Sequence, residues 1–267
     1  ILQNNSAIAI NIDNDFGRRL FNEIKSNTHV IFTFGQSLDA DIRINSIKQN
    51  SHTIDLVLEY KNQTYKSTIG MIGKFQAYNV VAAASICIGL GIDPNLILKS
   101  ISYLKPARGR MEMISTTHNN SIIVIDYAHT PEALSHVLNS IREIAKGKII
   151  TLFGCGGDRD KEKRKTMGKI ANKFSDLIIV TDDNPRSESP SSIRKDILAG
   201  CSKAEEVSDR NKAINYAISK LQKNDFLLIA GKGHETFQTI GMETLPFDDY
   251  TVAKESIRNL RKVEEIH

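Results

Sequence analysis

The sequence predicts an α/β protein whose second half is a mostly parallel sheet covered by helices on both faces, and three observations carry that prediction. Short apolar runs alternate there with stretches of helical period, the pattern of βαβ units. Three of those runs, ending at Phe153, Val180 and Ala230, lead directly into loops rich in glycine and charge. In a parallel sheet such loops open on one edge, where α/β folds bind ligands. The first half differs, because its period-two alternation predicts hairpins instead.

Each element follows from its local pattern. Ala7 to Ile12 is a strand that ends at Asp13, Asn14 and Asp15, before a helical pattern through Leu20, Phe21 and Ile24. Val30 to Phe34 is a second strand, and alternation through Ile42, Ile44 and Ile47 and then Ile54, Leu56, Leu58 and Tyr60 predicts hairpin strands. A small-residue apolar helix starts at Asn79 and stops at Gly89 and Gly91. Pro94 opens a helix over 95–104, and Lys105, Pro106, Ala107, Arg108 and Gly109 break the pattern near a domain boundary, giving domains 1–110 and 111–267. The second half predicts a strand at 121–125, a helix at 131–144 started by Thr130 and Pro131, and a strand at 148–153. A helix at 161–174, a strand at 177–180, helices at 191–198 and 210–221, a strand at 226–230 and a helix at 251–263 complete it.

At 267 residues, with 40% hydrophobic and 25% charged residues, the chain has the composition of a globular protein of two medium domains. A net charge of +4 without a long Lys or Arg run argues against a nucleic-acid partner, and no apolar run is long enough for membrane insertion. The three cysteines, Cys87, Cys155 and Cys201, are far apart and odd in number, so neither a disulfide framework nor a cysteine zinc site is indicated, and a reducing cytoplasm is expected. The first residue is Ile rather than Met, which reads as a piece of a longer protein.

The chemistry sits in the loops. Gly154 to Lys161 reads G-C-G-G-D-R-D-K, with glycines for close backbone approach and Asp158, Arg159 and Asp160 for charge. The stretch D-D-N-P-R at Asp182 to Arg186 ends in a planar fork suited to a carboxylate; alternatively Asn-Pro is only a turn. The third loop, G-K-G-H-E at Gly231 to Glu235, tempts as a phosphate cradle but lacks the spacing of one.

With G-R-M-E at Gly109 to Glu112 and D-Y-A-H-T-P at Asp126 to Pro131, these motifs in this order resemble the Mur ligase family. Within it they are similar to the ligases that add meso-diaminopimelate to UDP-N-acetylmuramoyl-L-alanyl-D-glutamate. The resemblance implies that residues 1–110 are the later part of a P-loop-type central ATPase domain and 111–267 a complete Rossmann-like C-terminal domain. It implies ATP and Mg2+, an acyl-phosphate intermediate in peptidoglycan synthesis, UDP-MurNAc-dipeptide as second substrate, and a monomer. Matched residue by residue, it assigns ATP contacts to Asn79, Arg110 and Asp126. It assigns diaminopimelate contacts to Arg159, Asp183, Asn184, Pro185, Arg186, Gly231 and Glu235, and a supporting place to His129. The arginine of D-N-P-R favours diaminopimelate over lysine, which lacks the second carboxylate. Gln76 departs from the pattern, since the family usually has Asn there. A strand-end cap is the alternative for Asp126. No G-x-x-x-x-G-K-[ST] occurs in the sequence, and the family's carbamylated lysine would fall just before Ile1, so the chain resembles a truncated ligase expected to be inactive alone. Two further readings remain: a non-catalytic module that binds an amino acid or docks a partner, and a folylpolyglutamate-type ligase of the same superfamily.

Overall fold

The structure, a computed structural model, describes residues 6–25, 29–115 and 119–264. The chain divides into two compact units, Ile1–Lys105 and Pro106–His267.

In the first unit β1 (Ala7–Asn11), β2 (Val30–Gly35), β3 (Ile42–Gln49), β4 (Ile54–Tyr60) and β5 (Gln63–Ile69) lie side by side in chain order. The pairings β1–β2 and β2–β3 are parallel, β3–β4 is the antiparallel hairpin the alternating pattern predicts, and β4–β5 is antiparallel too. Every second residue of β4 is buried, so Ile54, Leu56, Leu58 and Tyr60 form one inward face. Small residues of α2 (Lys74–Gly89), among them Ala77, Val81 and Ala84, join that core. The helix starts five residues before the predicted Asn79, because Gly73 and the K-F-Q-A-Y turn extend it beyond the apolar run. Asn14 caps α1 (Asp15–Ile24) through Gly17 N. The helix expected over 95–104 is α3 (Pro94–Ser100) followed by a 3-10 turn at Ile101–Tyr103.

The second unit is the predicted open sheet, in the order β10-β9-β8-β11-β7-β6. Its strands are β6 (Glu112–Ser115), β7 (Ile122–Asp126), β8 (Ile149–Phe153), β9 (Leu177–Val180), β10 (Ala204–Glu206) and β11 (Phe226–Ala230). Four neighbouring pairs are parallel and only β6 runs against β7. Every residue of β7, β8 and β11 is buried, as expected for strands covered on both faces. The helices are α4 (Pro131–Arg142), α5 (Glu162–Phe174), α6 (Pro190–Leu198), α7 (Arg210–Ser219) and α8 (Asp249–Glu264). Thr130 and Asp209 cap α4 and α7 by accepting from Ala133 N and Lys212 N. From β8 the chain moves outward to β9 and β10, then returns to insert β11 between β8 and β7. That reversal makes a switch point, and the loops after β8 and β11 diverge around a crevice at the carboxyl edge.

A short antiparallel hairpin, β12 (Phe237–Ile240) and β13 (Glu243–Pro246), follows β11. The division at Lys105 also places Arg108, Gly109 and Arg110 with the second unit. Gly109 has φ +64°, and a Cβ there would lie 2.2 Å from the backbone of Gly233 and His234, so the G-R-M-E turn packs directly on the third loop.

Candidate functional site

All three charged loops open on one edge of the second sheet, and a cavity of about 390 Å³ lies among them. Of the residues predicted to hold an amino acid, Arg159, Asp183, Asn184, Arg186, Gly231 and Glu235 line it, and His129 stands at its wall. Pro185 is buried behind the lining, where its carbonyl accepts from Glu188 N at 3.1 Å.

The first two loops lock together through backbone. Gly157 N donates to Asn184 O at 2.9 Å, and Arg186 Nη1 donates to Gly157 O at 2.8 Å. A side chain at Gly157 would strike Pro185 O at 1.9 Å, so only glycine allows this approach. Asp158 and Arg186 both take left-handed backbone, with φ of 53° and 51°. Strained backbone of this kind persists where surrounding bonds over-determine it. Here Asp158 accepts from Ser187 N and Oγ, and its own N–H donates to Glu188 Oε1 at 2.6 Å.

Glu188 is the knot of that lock. The buried Arg164 grips both its carboxylate oxygens, at 2.9 and 3.1 Å, and also holds Asp196 at 3.0 Å. The Arg164 guanidinium, helped by Asp158 N and Lys161, holds the Glu188 carboxyl down at about 2 against an ordinary 4.5. A depressed carboxyl contributes stability that is complete above its unfolded value and is lost as pH falls toward the folded one. Acid titration is therefore expected to loosen the Asp158–Glu188 loops between about pH 4.5 and 2. A Glu188→Gln variant followed by amide exchange at Asp158 should show those loops already loose at pH 7 and a weaker response across that window. An unchanged acid response in the variant would show that Glu188 is not its source.

Asn184 is 2% exposed, and both ends of its amide are hydrogen-bonded. Its Nδ2 donates to Glu235 Oε2 at 2.8 Å, and its Oδ1 accepts from Lys232 Nζ at 3.2 Å and Thr239 N at 3.0 Å. Arg159 is exposed and makes one long bond, Nη1 to Asp158 O at 3.4 Å, so its fork faces the opening. Lys163, absent from the sequence-predicted set, also lines the cavity and donates to His129 O at 2.9 Å. Cys155 lines it as well, but burial pushes its thiol up to about 12, so it stands there as a neutral group. The lining thus carries three cations, Arg159, Lys163 and Arg186, and three carboxylates, Asp160, Asp183 and Glu235.

The residues predicted for the nucleotide are not among those lining the cavity. Asn79 is on α2 of the first unit, with Nδ2 donating to Gln76 Oε1 at 3.1 Å. In the second unit Arg110 stacks over the Tyr127 ring at 4.7 Å, and His129 and His234 contact the same ring. Asp126, 6% exposed, accepts from Met111 N and Ala128 N, both at 2.8 Å, one on each oxygen. The strand-end cap weighed for it is therefore formed. Burial raises its carboxyl above the usual range, against those two bonds. His129 is exposed, and its Nδ1 lies 2.8 Å from Tyr127 O. Among the described residues no group of three or more His, Cys, Asp or Glu is placed to hold a metal ion. Among them, too, no helix is long and apolar enough to cross a membrane.

Sequence reasoning missed Lys232 and Arg210. Lys232 is 0% exposed and pairs with Glu235 at 3.2 Å. Arg210 is 2% exposed and bonds Asp249 through two parallel contacts of 2.8 Å. A lysine between two glycines and an arginine at a helix start read as solvated; the place of Lys232 within the third loop was a signal, and Arg210 offered none.

The Mur ligase middle domain matches residues 2–87, and the Mur ligase glutamate ligase domain matches residues 109–233. A Fusobacterium nucleatum protein, UDP-N-acetylmuramoyl-L-alanyl-D-glutamate--2,6-diaminopimelate ligase, is 40% identical over 99% of this chain and 54% of its own length. A solved structure of a ligase of that name superposes with a TM-score of 0.70 at 29% identity, covering 96% of this chain and 54% of the other. The MurF ligase of Thermotoga maritima in complex with ADP shares the fold, with a TM-score of 0.64 at 16% identity over 99% of this chain and 55% of that one. The chain spans about half the length of the curated relatives it matches.

Proposed function

The chain belongs to the Mur ligase family, and on that premise we propose that it carries the amino-acid-accepting part of an ATP-dependent ligase joining meso-diaminopimelate to UDP-N-acetylmuramoyl-L-alanyl-D-glutamate. The observation that carries this reading is the cavity lined by three cations and three carboxylates. Meso-diaminopimelate bears two carboxylates and two ammonium groups, and such a lining can oppose each of them. Lysine would leave one cationic side chain facing no carboxylate, and an unpaired, desolvated polar group is what discriminates most strongly.

Arg186 is held by Gly157 O and lines the cavity, and Arg159 lines it as well, both side chains lying beside Gly156. In this reading the two arginines receive the distal carboxylate, Asn184 fixes their loop, and Gly231 and Glu235 receive the distal ammonium. Binding at that end orients the other amine for attack on the activated carboxylate of the dipeptide substrate, an effect of positioning rather than of bond chemistry supplied by these residues. In this reading Asn79, Arg110 and Asp126 would contact ATP, as the family resemblance assigns them. ATP supplies the phosphate that makes the carboxylate an acyl donor. The reading places a monomeric enzyme of cell-wall synthesis in the cytoplasm. The 267 residues contain no G-x-x-x-x-G-K-[ST] cradle, and by themselves they are expected to bind without turnover.

The test is calorimetric titration of the chain with meso-diaminopimelate and with L-lysine. The diamino diacid is expected to bind at least about tenfold more tightly, on the scale of a hydrogen-bonded charge. Equal affinity for the two would overturn the assignment.

A further inference from the structure

The β12–β13 hairpin has little apolar anchorage: Phe237, Ile240 and Leu245 are 42%, 43% and 47% exposed, and Met242 at its tip is fully exposed. A two-stranded hairpin is marginal by itself. Yet it sits firmly against the D-D-N-P-R loop through polar bonds. Arg186 N donates to Thr239 O at 3.1 Å, Gly241 N donates to Arg186 O at 2.7 Å, and Gln238 Nε2 donates to Asp183 O at 2.7 Å. Arg186 thereby forms a β-bridge with Ile240 while its own φ is 51°. Beneath the hairpin lies Lys232, fully buried, with Nζ bonded to Phe237 O at 2.5 Å, Asn184 Oδ1 at 3.2 Å and Glu235 Oε2 at 3.2 Å.

We propose that Lys232 is a positioning residue: its buried ammonium ties the hairpin to Asn184 and Glu235, and the hairpin in turn holds Arg186 in the backbone conformation that presents its guanidinium to a carboxylate. This rests on the amino-acid reading above for the identity of the ligand, though not for the clamp itself. Three lines of geometry converge on it. Lys232 binds at once the base of the hairpin and two cavity residues. Asn184 Oδ1 is shared between Lys232 and Thr239 N, so loss of the ammonium disturbs the bond next to the Arg186 bridge. And left-handed backbone at a non-glycine residue relaxes when the bonds that impose it are removed. Without the clamp, Arg186 swings from Gly157 O and the cavity loses its carboxylate fork, while the cavity remains open to an amino acid lacking the second carboxylate.

The experiment compares wild type with Lys232→Met and Gln238→Ala by amide exchange and by titration with meso-diaminopimelate and L-lysine. In Lys232→Met the amides of Arg186, Thr239 and Gly241 should exchange about tenfold faster or more, with β8 and β11 amides unchanged, and diaminopimelate should weaken about tenfold while lysine does not. Wild-type exchange at those three amides, or unaltered diaminopimelate affinity once they have opened, would overturn the proposal. If Lys232→Met fails to fold, Gln238→Ala decides, since it removes a clamp bond without stranding a charge: about threefold effects in the same places support the clamp, and none overturns it. Opened amides in a protein whose wild type binds neither amino acid would uphold the clamp and sink the substrate reading instead.

Discussion

Arg186→Ala is expected to weaken meso-diaminopimelate binding about a hundredfold while leaving L-lysine and nucleotide binding within about twofold, on the scale of truncating a hydrogen-bonded charge at a recognition site. The guanidinium is half-buried, bonded to Gly157 O, and faces the cavity. Removing it leaves the ligand's second carboxylate desolvated without a partner, and lysine has no such group to lose. Arg186→Lys should recover little, because an ammonium cannot offer the planar fork and cannot reach Gly157 O in the same pose. Arg159→Ala, exposed and bonded only at 3.4 Å, should cost less. Isothermal titration of the variants with diaminopimelate, lysine and a non-hydrolysable ATP analogue checks all of this. A parallel loss for every ligand would mean that Arg186 maintains the fold and does not read the substrate.

The sequence made the second sheet legible because its strands are strongly apolar and its loops abrupt. I-I-V-I-D, I-I-T-L-F and F-L-L-I-A leave no choice but strands buried on both faces. What escaped are the edges. The strand Q-T-Y-K-S-T-I pairs with β4 in a hairpin yet exposes most of its side chains, and A-E-E is a short edge strand. The strand E-M-I-S, antiparallel beside β7, escaped in the same way. The hairpin after Thr236 is short and leaves Phe237, Ile240 and Leu245 nearly half exposed, so no hydrophobic period announces it. The candidate site divides along the same line. Arg159, Asn184, Arg186 and Glu235 were legible because motif and loop position coincide, and the cavity does bring them together. Lys232 and Arg210 were not, since whether a cation is buried depends on neighbours distant in sequence, and Lys163 was not, since only the fold brings it to the cavity. Asp126 shows the converse: its bonds to Met111 N and Ala128 N satisfy one lone pair on each oxygen, so capping and ligand contact do not exclude each other.

Arg210→Met is expected to cost the second unit about 3–5 kcal/mol, the cost of breaking a buried ion pair from one side. The pair is fully enclosed, with Arg210 and Asp249 side chains both 0% exposed. Arg210 opens α7 and Asp249 opens α8, so the bidentate bond staples two helix starts. The same guanidinium donates to Ala230 O at 3.1 Å and to Asp182 O at 3.4 Å, the residues at which β11 and β9 give way to site loops. Methionine fills much of the volume but leaves the Asp249 carboxylate buried without a partner and releases both carbonyls. Chemical denaturation followed through exchange of β11 amides should report the loss. The double variant Arg210→Met, Asp249→Leu removes the stranded charge and should recover most of the stability, since well-packed apolar replacements of buried pairs are often neutral. It should not recover amino-acid binding, because the bonds from Arg210 to Asp182 O and Ala230 O, which tie the starts of two site loops together, are still lost. If the double variant is as unstable as the single one, the stapling of α7 to α8 is the dominant contribution. If it also binds diaminopimelate normally, the carbonyl bonds of Arg210 play no part in shaping the site.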